Sequence, residues 1–336
     1  MKNIRLAVIG AGGIAQVAHI PNWKTIPGVE LVAVCDTHKA RARGVAEKYG
    51  IPQYFTDDEA VLKMEDLDAV DICAPTNMHK IIAINALSAG KHVLVEKPMS
   101  RTVEEAEQMV RAAKQHKRKL MVAMNVRFWR DVVNLRQFIE NGELGEIFYA
   151  KCGWLRRQEK WTERAWLFDK KYSGGGVLMD LGIQILDMTL WLFGNKKVKS
   201  VKAATYNHVA KLDVEDAAAG FIQLEDGSTI ALEVGWTLLT TQDKLYVDVY
   251  GTKGGAVLNP LRVVKAMKEG LVNITPQLDE TPTYRYKLSY RDELRHFVQC
   301  LREDKPMLSS GAESLERMRV LEAMYQSAQS GKEVKL

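Results

Sequence analysis

Lys97 is the residue whose type and position offer the clearest chemistry in this sequence. It follows a short apolar run, residues 92–95, and Glu96, and Pro98 comes directly after it. If the run is a buried strand, Lys97 stands at the carboxyl edge of a sheet, where open α/β sheets bind their ligands. Pro98 restricts the backbone at this point. We therefore expect the Lys97 ammonium to point into a ligand cleft, although most lysines lie in surface turns.

A glycine turn near the start of the chain indicates which ligand this is. The apolar run 4–9 is followed by small residues and then by a helical stretch. The turn comprises Gly10, Gly12, Gly13, Ile14 and Ala15. In a dinucleotide-binding βαβ unit, Gly10 allows the tight turn, Gly12 lets the backbone approach a pyrophosphate, and Ala15 lets the helix pack against the strand. The phosphates then lie on the N–H groups of that helix, whereas a turn that binds nothing is the structural alternative.

Asp36 closes the second apolar run, about 20 residues after Ala15. At this spacing a carboxylate can accept hydrogen bonds from both ribose hydroxyls of an adenosine, which favours NAD over NADP. Lys39 and Arg41 come just after it and could contact a 2′-phosphate, so NADP stays open as a second cofactor. A solvated helix face is the structural alternative for these two side chains.

Apolar runs and helical segments continue to alternate as far as residue 123. Further strands are expected over 53–55, 69–74, 92–95 and 120–123. Six strands with helices between them predict a doubly wound parallel sheet, a Rossmann domain over residues 1–123. Polar residues at the ends of two of these strands share an edge with the glycine turn, which places them over the cofactor and Lys97 near the nicotinamide. They are Pro75, Thr76, Asn77, His79, Glu96 and Lys97.

The pattern changes in residues 124–336. A long strand is expected over 146–155, and the alternation of apolar and polar residues over 198–258 is typical of antiparallel strands. Helices are expected over about 129–141, around Asp180, and over about 290–302 and 312–330. These residues are therefore predicted to form a second, α+β domain with an open, mainly antiparallel sheet.

Composition argues against several classes of function. The 336 residues suit two domains, and 47 basic and 42 acidic residues are interspersed along them, for a net charge of +5. This mild excess forms no basic stripe, so no nucleic-acid partner is expected. Polar residues interrupt the apolar stretches before about 18 residues, so no membrane span is expected. The first apolar run is better explained by the glycine turn than by a secretory signal, and we expect a cytoplasmic protein.

Cysteine and histidine spacing indicates neither disulfides nor a metal. Cys35, Cys73, Cys152 and Cys300 are far apart in the sequence and form no Cys-x-x-Cys pair. Free thiols in a reducing compartment are the expected result. The seven histidines show no His-Glu-x-x-His or other metal-ligand spacing, so we expect no structural or catalytic metal.

Several motifs together resemble one known family. They are the glycine turn with Asp36, the run Pro75-Thr76-Asn77 with His79, the string from Ala89 to Glu96-Lys97-Pro98, Arg127-Phe128, and Ser173-Gly174-Gly175-Gly176 ahead of Asp180. The combination is similar to the glucose-fructose oxidoreductase, inositol dehydrogenase and rhizopine-catabolism (Gfo/Idh/MocA) family over almost the whole chain. The resemblance implies hydride transfer between NAD(P) and a hydroxyl-bearing carbon of a sugar, sugar acid or cyclitol. It also implies a homodimer or homotetramer assembled through the second-domain sheet.

The resemblance implies roles for three residues. In the family, the lysine matching Lys97 binds the reacting hydroxyl, and the aspartate matching Asp180 orients substrate and lysine. A histidine four residues later commonly relays the proton, but this position is Gln184. The spacing keeps Asp180 and Gln184 on one helical face, whereas an amide exchanges no proton near neutral pH. We hypothesise that Lys97 is the acid–base group or its immediate hydrogen-bond donor, Asp180 its partner, and Gln184 a substrate contact. Alternative relay groups are Tyr172, Asp187 and His208.

A loop rich in tryptophan and arginine, residues 156–172, is the candidate for substrate selection. Its distinctive members are Arg156, Arg157, Trp161, Arg164 and Trp166. Aromatic faces stack on sugar rings, and arginines bind hydroxyl, carboxylate or phosphate groups. Arg157 and Trp166 are therefore predicted substrate contacts, while the core or a dimer interface is an equal alternative for Trp161 and Trp166.

Two other functions fit the same motifs. One is a redox-neutral sugar hydrolase that uses tightly held NAD transiently, and it would turn over without net NADH formation. The other is a regulatory protein that binds NAD(H) without turnover, which the replacement at Gln184 could mark. Retention of Lys97 and Asp180 ranks the regulatory protein last.

Overall fold

The apolar runs of the first 125 residues form a six-stranded parallel sheet in the computed structural model, which describes residues 3–157, 165–208, 212–277 and 280–336. Its strands are β1 (Ile4–Ile9), β2 (Val29–Cys35), β3 (Gln53–Phe55), β4 (Ala69–Ile72), β5 (His92–Glu96) and β6 (Leu120–Ala123). The order across the sheet is β3-β2-β1-β4-β5-β6, so the winding reverses beside β1. Side chains of the central strands are almost all buried, as in parallel sheets covered on both faces. The predicted doubly wound sheet is confirmed.

Helices connect these strands. They are α1 (Ile20–Trp23), α2 (Lys39–Tyr49), α3 (Asp58–Leu62), α4 (Thr76–Ser88) and α5 (Val103–Gln115). Side-chain caps begin two of them, because Asp57 accepts a hydrogen bond from the Glu59 N–H and Thr102 from the Glu105 N–H. The turn after β1 departs from a regular helix: residues Ala15–His19 form a π-helix that leads directly into α1. This wider turn directs His19 into the core, where it is 1% exposed.

The second sheet is mixed and mainly antiparallel, as predicted. Its nine strands are β7 (Ile147–Arg157), β8 (Val198–Tyr206), β9 (Ala217–Leu224), β10 (Thr229–Leu238), β11 (Lys244–Gly251), β12 (Gly254–Leu258), β13 (Arg262–Met267), β14 (Gly270–Asn273) and β15 (Val334–Lys335). The order is β14-β13-β12-β11-β7-β10-β9-β8-β15, and only the β10–β7 pair is parallel among these strands. The prediction ended the sheet near residue 258, so it missed the hairpin of β13 and β14.

The remaining helices pack with this sheet or close the chain. They are α6 (Arg130–Glu140), α7 (Lys170–Ser173), α8 (Ile183–Leu192), α9 (Pro282–Arg302) and α10 (Gly311–Ser330). A second π-helix, Leu178–Gly182, precedes α8 and carries Asp180. The structure begins α9 at Pro282, eight positions before the predicted start near Tyr290.

The stretch Lys170–Leu192 is unusually apolar. By length and composition alone it could cross a membrane, contrary to the expectation from sequence, but 89% of its most apolar window is buried inside the protein. Every residue of α8 is buried, including Gln184 and Asp187. A helix that is buried on every face is typical of the core of a domain. This helix therefore fits a soluble domain.

The chain divides into two compact units that are each discontinuous in sequence. The first comprises residues 1–125 and 290–316, and the second comprises 126–289 and 317–336. Ser310 forms a β-bridge with Met121, and the Ser309 hydroxyl donates to the Val122 carbonyl at 2.7 Å, so the returning segment extends the first unit. The predicted boundary after residue 123 lies close to the first passage between units, but that prediction assigned 290–316 to the other domain.

Candidate active site

The glycine turn stands at the carboxyl end of β1, beside the end of β4. Gly10 has φ +99°, and a Cβ on it would lie 2.5 Å from the Cys73 carbonyl carbon, so a side chain is excluded there. Gly12 and Gly13 instead face open space within 4 Å. Ile14 and Ala15 follow, with Ala15 fully buried as the helix turns against the strand. The bare backbone of Gly12 and Gly13 fits the close approach of a pyrophosphate.

Asp36 is fixed at the carboxyl end of β2 by backbone donors. Its Oδ2 accepts a hydrogen bond from the Ala11 N–H at 3.0 Å, and its Oδ1 accepts one from the His38 N–H at 2.9 Å. The half-exposed Arg41 guanidinium lies 3.2 Å from both oxygens. The carboxylate thus lies next to the glycine turn, where an adenosine ribose would lie, and Arg41 is paired with it.

The segment after β4 begins α4 at the same sheet edge. Pro75 precedes the helix, Thr76 is buried, and the buried Oδ1 of Asn77 has no hydrogen-bond partner in the described part of the chain. An unsatisfied buried acceptor at a ligand edge fits a polar group of a cofactor. His79 behaves differently, because its Nδ1 lies 2.9 Å from the Pro98 carbonyl and its Nε2 lies 2.8 Å from the Ala74 carbonyl. His79 therefore connects two strand ends and offers no ring nitrogen to a ligand.

Glu96, the last residue of β5, holds the backbone of Lys97. Its Oε2 accepts a hydrogen bond from the Lys97 N–H at 2.9 Å, and its Oε1 lies 2.9 Å from His19 Nε2. Burial alone would raise the pKa of Glu96, but the hydrogen bond and charge of His19, together with the Lys97 charge, outweigh it and lower that pKa. Glu96 is therefore ionised and buried, and it supports the backbone of Lys97. Both of these bonds are to groups of the protein and not to a ligand.

Sequence reasoning missed the buried cluster behind Glu96. His19 Nδ1 lies 2.8 Å from Asp71 Oδ2, and the same oxygen accepts a hydrogen bond from Trp23 Nε1 at 2.7 Å. Asp71 was visible as an acid inside an apolar run, and a fully buried acid requires a partner. Its partner is about 50 residues away in sequence, so no local pattern could identify it.

His19, Asp71 and Cys73 bring one metal-ligand atom each within 4.8 Å of one another. However, both ring nitrogens of His19 lie at hydrogen-bond distance from carboxylates, and Cys73 Sγ lies 3.6 Å from Asp71 Oδ1. Burial raises the pKa of the Cys73 thiol to about 12, which keeps it protonated in this cluster. These contacts satisfy the cluster without an ion.

In the second unit, the π-helix Leu178–Gly182 brings Asp180 and Gln184 together. Asp180 is 9% exposed, and its Oδ2 accepts a hydrogen bond from Trp236 Nε1 at 3.1 Å. Gln184 Nε2 donates to the Asp180 backbone carbonyl at 3.1 Å. Phe168 packs edge-on against Trp236 at 5.6 Å between ring centroids. Because π-helical turns are rare and frequent at functional sites, this turn marks Asp180 as a candidate site residue.

Glu215 anchors the start of this turn and was not predicted. Its Oε2 accepts from the Gly176 N–H at 2.9 Å, and its Oε1 accepts from the Leu178 N–H at 3.0 Å and the Tyr325 hydroxyl at 2.7 Å. A Cβ on Gly176 would collide with the Glu215 carbonyl oxygen. This close approach explains the glycine at position 176, four residues before Asp180.

The alternative relay residues have other surroundings. Asp187 is fully buried, and Arg127 and Arg317 both donate to its carboxylate. Burial alone would raise the pKa of Asp187, but the two guanidinium groups outweigh it and lower that pKa. An acid held ionised in this way cannot accept and release a proton near neutral pH. Tyr172 is 39% exposed, and His208 lies beside Tyr206 at 6.0 Å between ring centroids.

The substrate-selection loop is described only in part. Trp161 and Arg164 lie outside the described residues. Trp166 is 36% exposed. Arg157 ends β7, where its N–H donates to Asp243 Oδ1 at 2.9 Å. It also lines an open cavity of about 520 Å³ with residues 238–241. Both predicted contacts are thus partly or largely accessible, and the roles of Arg157 and Trp166 stay predictions.

Comparison with known proteins identifies the fold and the family. Residues 4–124 match the model of the oxidoreductase family with an NAD-binding Rossmann fold, and residues 136–336 match the C-terminal alpha/beta domain of the same family. The chain belongs to the Gfo/Idh/MocA oxidoreductase family. The resemblance inferred from the motifs is confirmed, and so is NAD as the cofactor class. The predicted roles of the individual residues, Gln184 included, stay predictions.

Relatives and solved structures cover nearly the whole chain. It is 32% identical to D-glucoside 3-dehydrogenase of Escherichia coli, over 99% of this chain and 97% of the relative. It is 26% identical to myo-inositol 2-dehydrogenase of Thermotoga maritima, over 99% and 98%. An Agrobacterium radiobacter oxidoreductase, solved with NAD+, L-tartaric acid and magnesium, superposes with a TM-score of 0.89 at 25% identity, over 99% of this chain and 98% of that one.

Proposed function

We propose that this protein is an NAD-dependent dehydrogenase that oxidises a secondary hydroxyl of a sugar, sugar acid or cyclitol. The observation that carries the proposal is the position of Lys97. It stands at the carboxyl end of β5, its N–H is held by the buried Glu96 carboxylate, and the glycine turn stands at the carboxyl end of β1 in the same sheet. NAD supplies the acceptor for the hydride that leaves the substrate carbon.

Lys97 takes the hydroxyl proton in this proposal. The substrate O–H proton would pass to Nζ of Lys97, which must be unprotonated to accept it. Help of this kind typically contributes about 10²- to 10⁴-fold to the rate. Asp180 orients the substrate hydroxyls, because its carboxylate is an acceptor and Trp236 Nε1 fixes its direction.

Gln184 serves binding and positioning in place of a proton relay. Its amide N–H is engaged by the Asp180 carbonyl, which leaves the amide oxygen as the group able to accept a substrate hydroxyl. The acid–base chemistry therefore rests on Lys97. Tyr172 and His208 are the remaining relay candidates, since Asp187 is committed to a buried ion pair.

Two of the relatives support a cyclic sugar or cyclitol as the substrate class. The chain is similar to a D-glucoside 3-dehydrogenase and to a myo-inositol 2-dehydrogenase, each named for oxidation at a ring position. We propose a glycoside or cyclitol with a free secondary ring hydroxyl. Asp36, with two backbone donors at its oxygens, supports NAD as the preferred form, because a carboxylate there repels a 2′-phosphate.

The test measures NADH and NADPH formation by absorbance against a panel of glycosides, aldoses, sugar acids and inositols. Lys97→Ala is compared with Lys114→Ala, which removes an exposed lysine on α5. We expect turnover that Lys97→Ala abolishes and Lys114→Ala keeps. Sugar hydrolysis without net NADH would instead establish the redox-neutral hydrolase, and NAD(H) binding without any turnover would establish the regulatory protein.

We also propose that a second copy of the chain covers the outer face of the second sheet. Along β9, β11 and β12, side chains alternate between the core and this face, which carries the half-exposed Phe221, Tyr250 and Val257. Tyr149 stacks on Tyr250 there at 5.6 Å between ring centroids. Exposure of several large apolar side chains on one sheet face is typical of an interface, which supports a homodimer or homotetramer. Light scattering would test the state of assembly.

A cytoplasmic location is the remaining part of the proposal. All four cysteines are free and buried, as expected in a reducing compartment. Fractionation of cells that express the tagged protein would test this location.

A further inference from the structure

A continuous chain of hydrogen bonds runs behind Lys97 through the first unit. It joins Trp23 to Asp71, Asp71 to His19, His19 to Glu96, and Glu96 to the Lys97 N–H, with each donor–acceptor distance between 2.7 and 2.9 Å. The links come from three elements that are distant in sequence: α1 with the π-helix before it, β4 and β5. The π-helix that follows the glycine turn directs His19 toward the strands, so this ring links that helix to β4 and β5.

This chain of hydrogen bonds fixes the protonation state of His19. Asp71 Oδ2 accepts from Trp23 and faces His19 Nδ1, while Glu96 Oε2 accepts from Lys97 and Oε1 faces His19 Nε2. Ionised carboxylates are acceptors only, so both ring nitrogens must donate. His19 is then an imidazolium between two carboxylates, and the three groups together carry one net negative charge.

The groups that face His19 are consistent with this charge. Burial alone would lower the pKa of His19, but the Asp71 carboxylate, together with Cys73, outweighs it and raises that pKa well above the usual range. Cys73, at the end of β4, stays a neutral thiol because burial raises its pKa to about 12. Burial, with the charges of Glu96 and Asp71, raises the pKa of Glu293 on α9 well above its usual range, which favours its neutral form.

We propose that His19 is a positioning residue for Lys97 that acts through Glu96. As a buried imidazolium, it fixes the Glu96 carboxylate. The negative charge of that carboxylate is then shared between His19 and Lys97. This rests on the proposed role of Lys97 in proton transfer. A Glu96 carboxylate that loses His19 would turn toward other donors and release the Lys97 backbone. It would also act on the Lys97 ammonium with its full charge and favour the protonated, inactive lysine.

Two substitutions separate positioning of Lys97 from general stabilisation of the core. His19→Gln can place an amide N–H near the Nε2 position and keep the link to Glu96, whereas His19→Asn can place one near Nδ1 and keep the link to Asp71. Both remove the imidazolium charge and one hydrogen bond. Surface variant His116→Gln is the control for a histidine outside the cluster.

The experiment measures kcat, KM and the pH profile of kcat/KM for alcohol oxidation, beside NAD binding and thermal unfolding. We expect kcat to fall up to about 100-fold in His19→Asn and clearly less in His19→Gln, with NAD affinity kept. In both variants the pH at which activity rises moves upward by about one unit, because Lys97 loses a neighbouring positive charge. Equal losses in the two variants with an unmoved pH profile would overturn the inference.

A measurement on the unaltered protein covers the case in which neither variant folds. Long-range ¹H–¹⁵N spectra report the protonation of histidine rings, and we expect His19 to be doubly protonated at neutral pH, where a histidine of ordinary pKa is mostly neutral. A neutral ring at pH 7 would refute the charge assignment. Lys97→Ala distinguishes failure of the proposed function from failure of this inference. Full activity in that variant refutes the proposed function. An inactive Lys97→Ala beside unaffected His19 variants refutes only the role of His19.

Discussion

The buried ion pair between Asp187, on α8, and Arg127 is expected to contribute strongly to the stability of the second unit. Asp187 and Arg127 are both 0% exposed, and Arg127 Nε donates to Asp187 Oδ2 at 2.6 Å, while Arg317 Nε donates to Oδ1 at 3.1 Å. Asp187→Asn keeps the shape of the side chain but leaves two guanidinium groups facing a neutral amide. Removing one partner of a buried pair costs about 3–5 kcal/mol.

The expected loss can be separated from the effect of any charge change. Glu47 pairs with Arg43 on α2, where both side chains are more than 60% exposed. Glu47→Gln also removes one negative charge, and we expect it to cost less than about 1 kcal/mol. Urea unfolding of the two variants, compared at an unchanged slope, gives the difference in the free energy of unfolding.

The pair also sets the acid limit of stability. Because the folded pKa of Asp187 lies below its unfolded value, its contribution is complete above about pH 4 and is lost as pH falls through the folded pKa. The wild type and Asp187→Asn should therefore converge in stability only in strong acid. A loss below about 1 kcal/mol at neutral pH, or one that the Glu47→Gln control matches, would refute the reasoning.

Further predictions concern cofactor choice, positioning and assembly. Asp36→Ser removes the charge that opposes a 2′-phosphate, and should raise the NADP-to-NAD ratio of kcat/KM by at least about tenfold in initial-rate assays. Glu215→Gln replaces one carboxylate oxygen by an amide NH2 group, which cannot accept from an N–H; we expect a lower kcat with NAD affinity kept, whereas weakened NAD binding would contradict a role confined to the Asp180 turn. Phe221→Glu places a charge on the proposed interface and should reduce the assembled mass in light scattering, while Tyr54→Glu, exposed on β3, should leave it unchanged.

Local sequence patterns were enough to predict the first sheet. The features that the sequence did not predict depend on contacts between residues that are far apart in sequence. Gly10 and the run before Lys97 could be placed because a glycine turn and a strand end are signals within a few residues. The partner of Asp71 could not, because the π-helix that turns His19 inward has no sequence signature that hydrophobic periodicity detects. Glu215 supports Asp180 from a loop about 35 residues away, which no spacing rule covers.

The second sheet shows the same limit in its outer strands. Strands β9 to β12 have clear alternation, whereas the four residues of β14 are all exposed and give no periodic signal. The start of α9 at Pro282 was missed because the following residues are tyrosines and basic groups without an apolar stripe. The catalytic assignments to Lys97, Asp180 and Gln184 depend on the family resemblance, because spacing alone identifies Lys97 only as the end of a strand.

The return of residues 290–316 to the first unit has a consequence for synthesis. The ribosome completes all six parallel strands by residue 123, yet Glu293 and the partners of Met121 and Val122 emerge only after most of the second unit. One flank of the amino-terminal sheet therefore stays uncovered while about 165 further residues are translated. This takes roughly 10 to 30 s at bacterial or eukaryotic elongation rates. We expect chaperones to retain nascent chains whose translation is halted before residue 290.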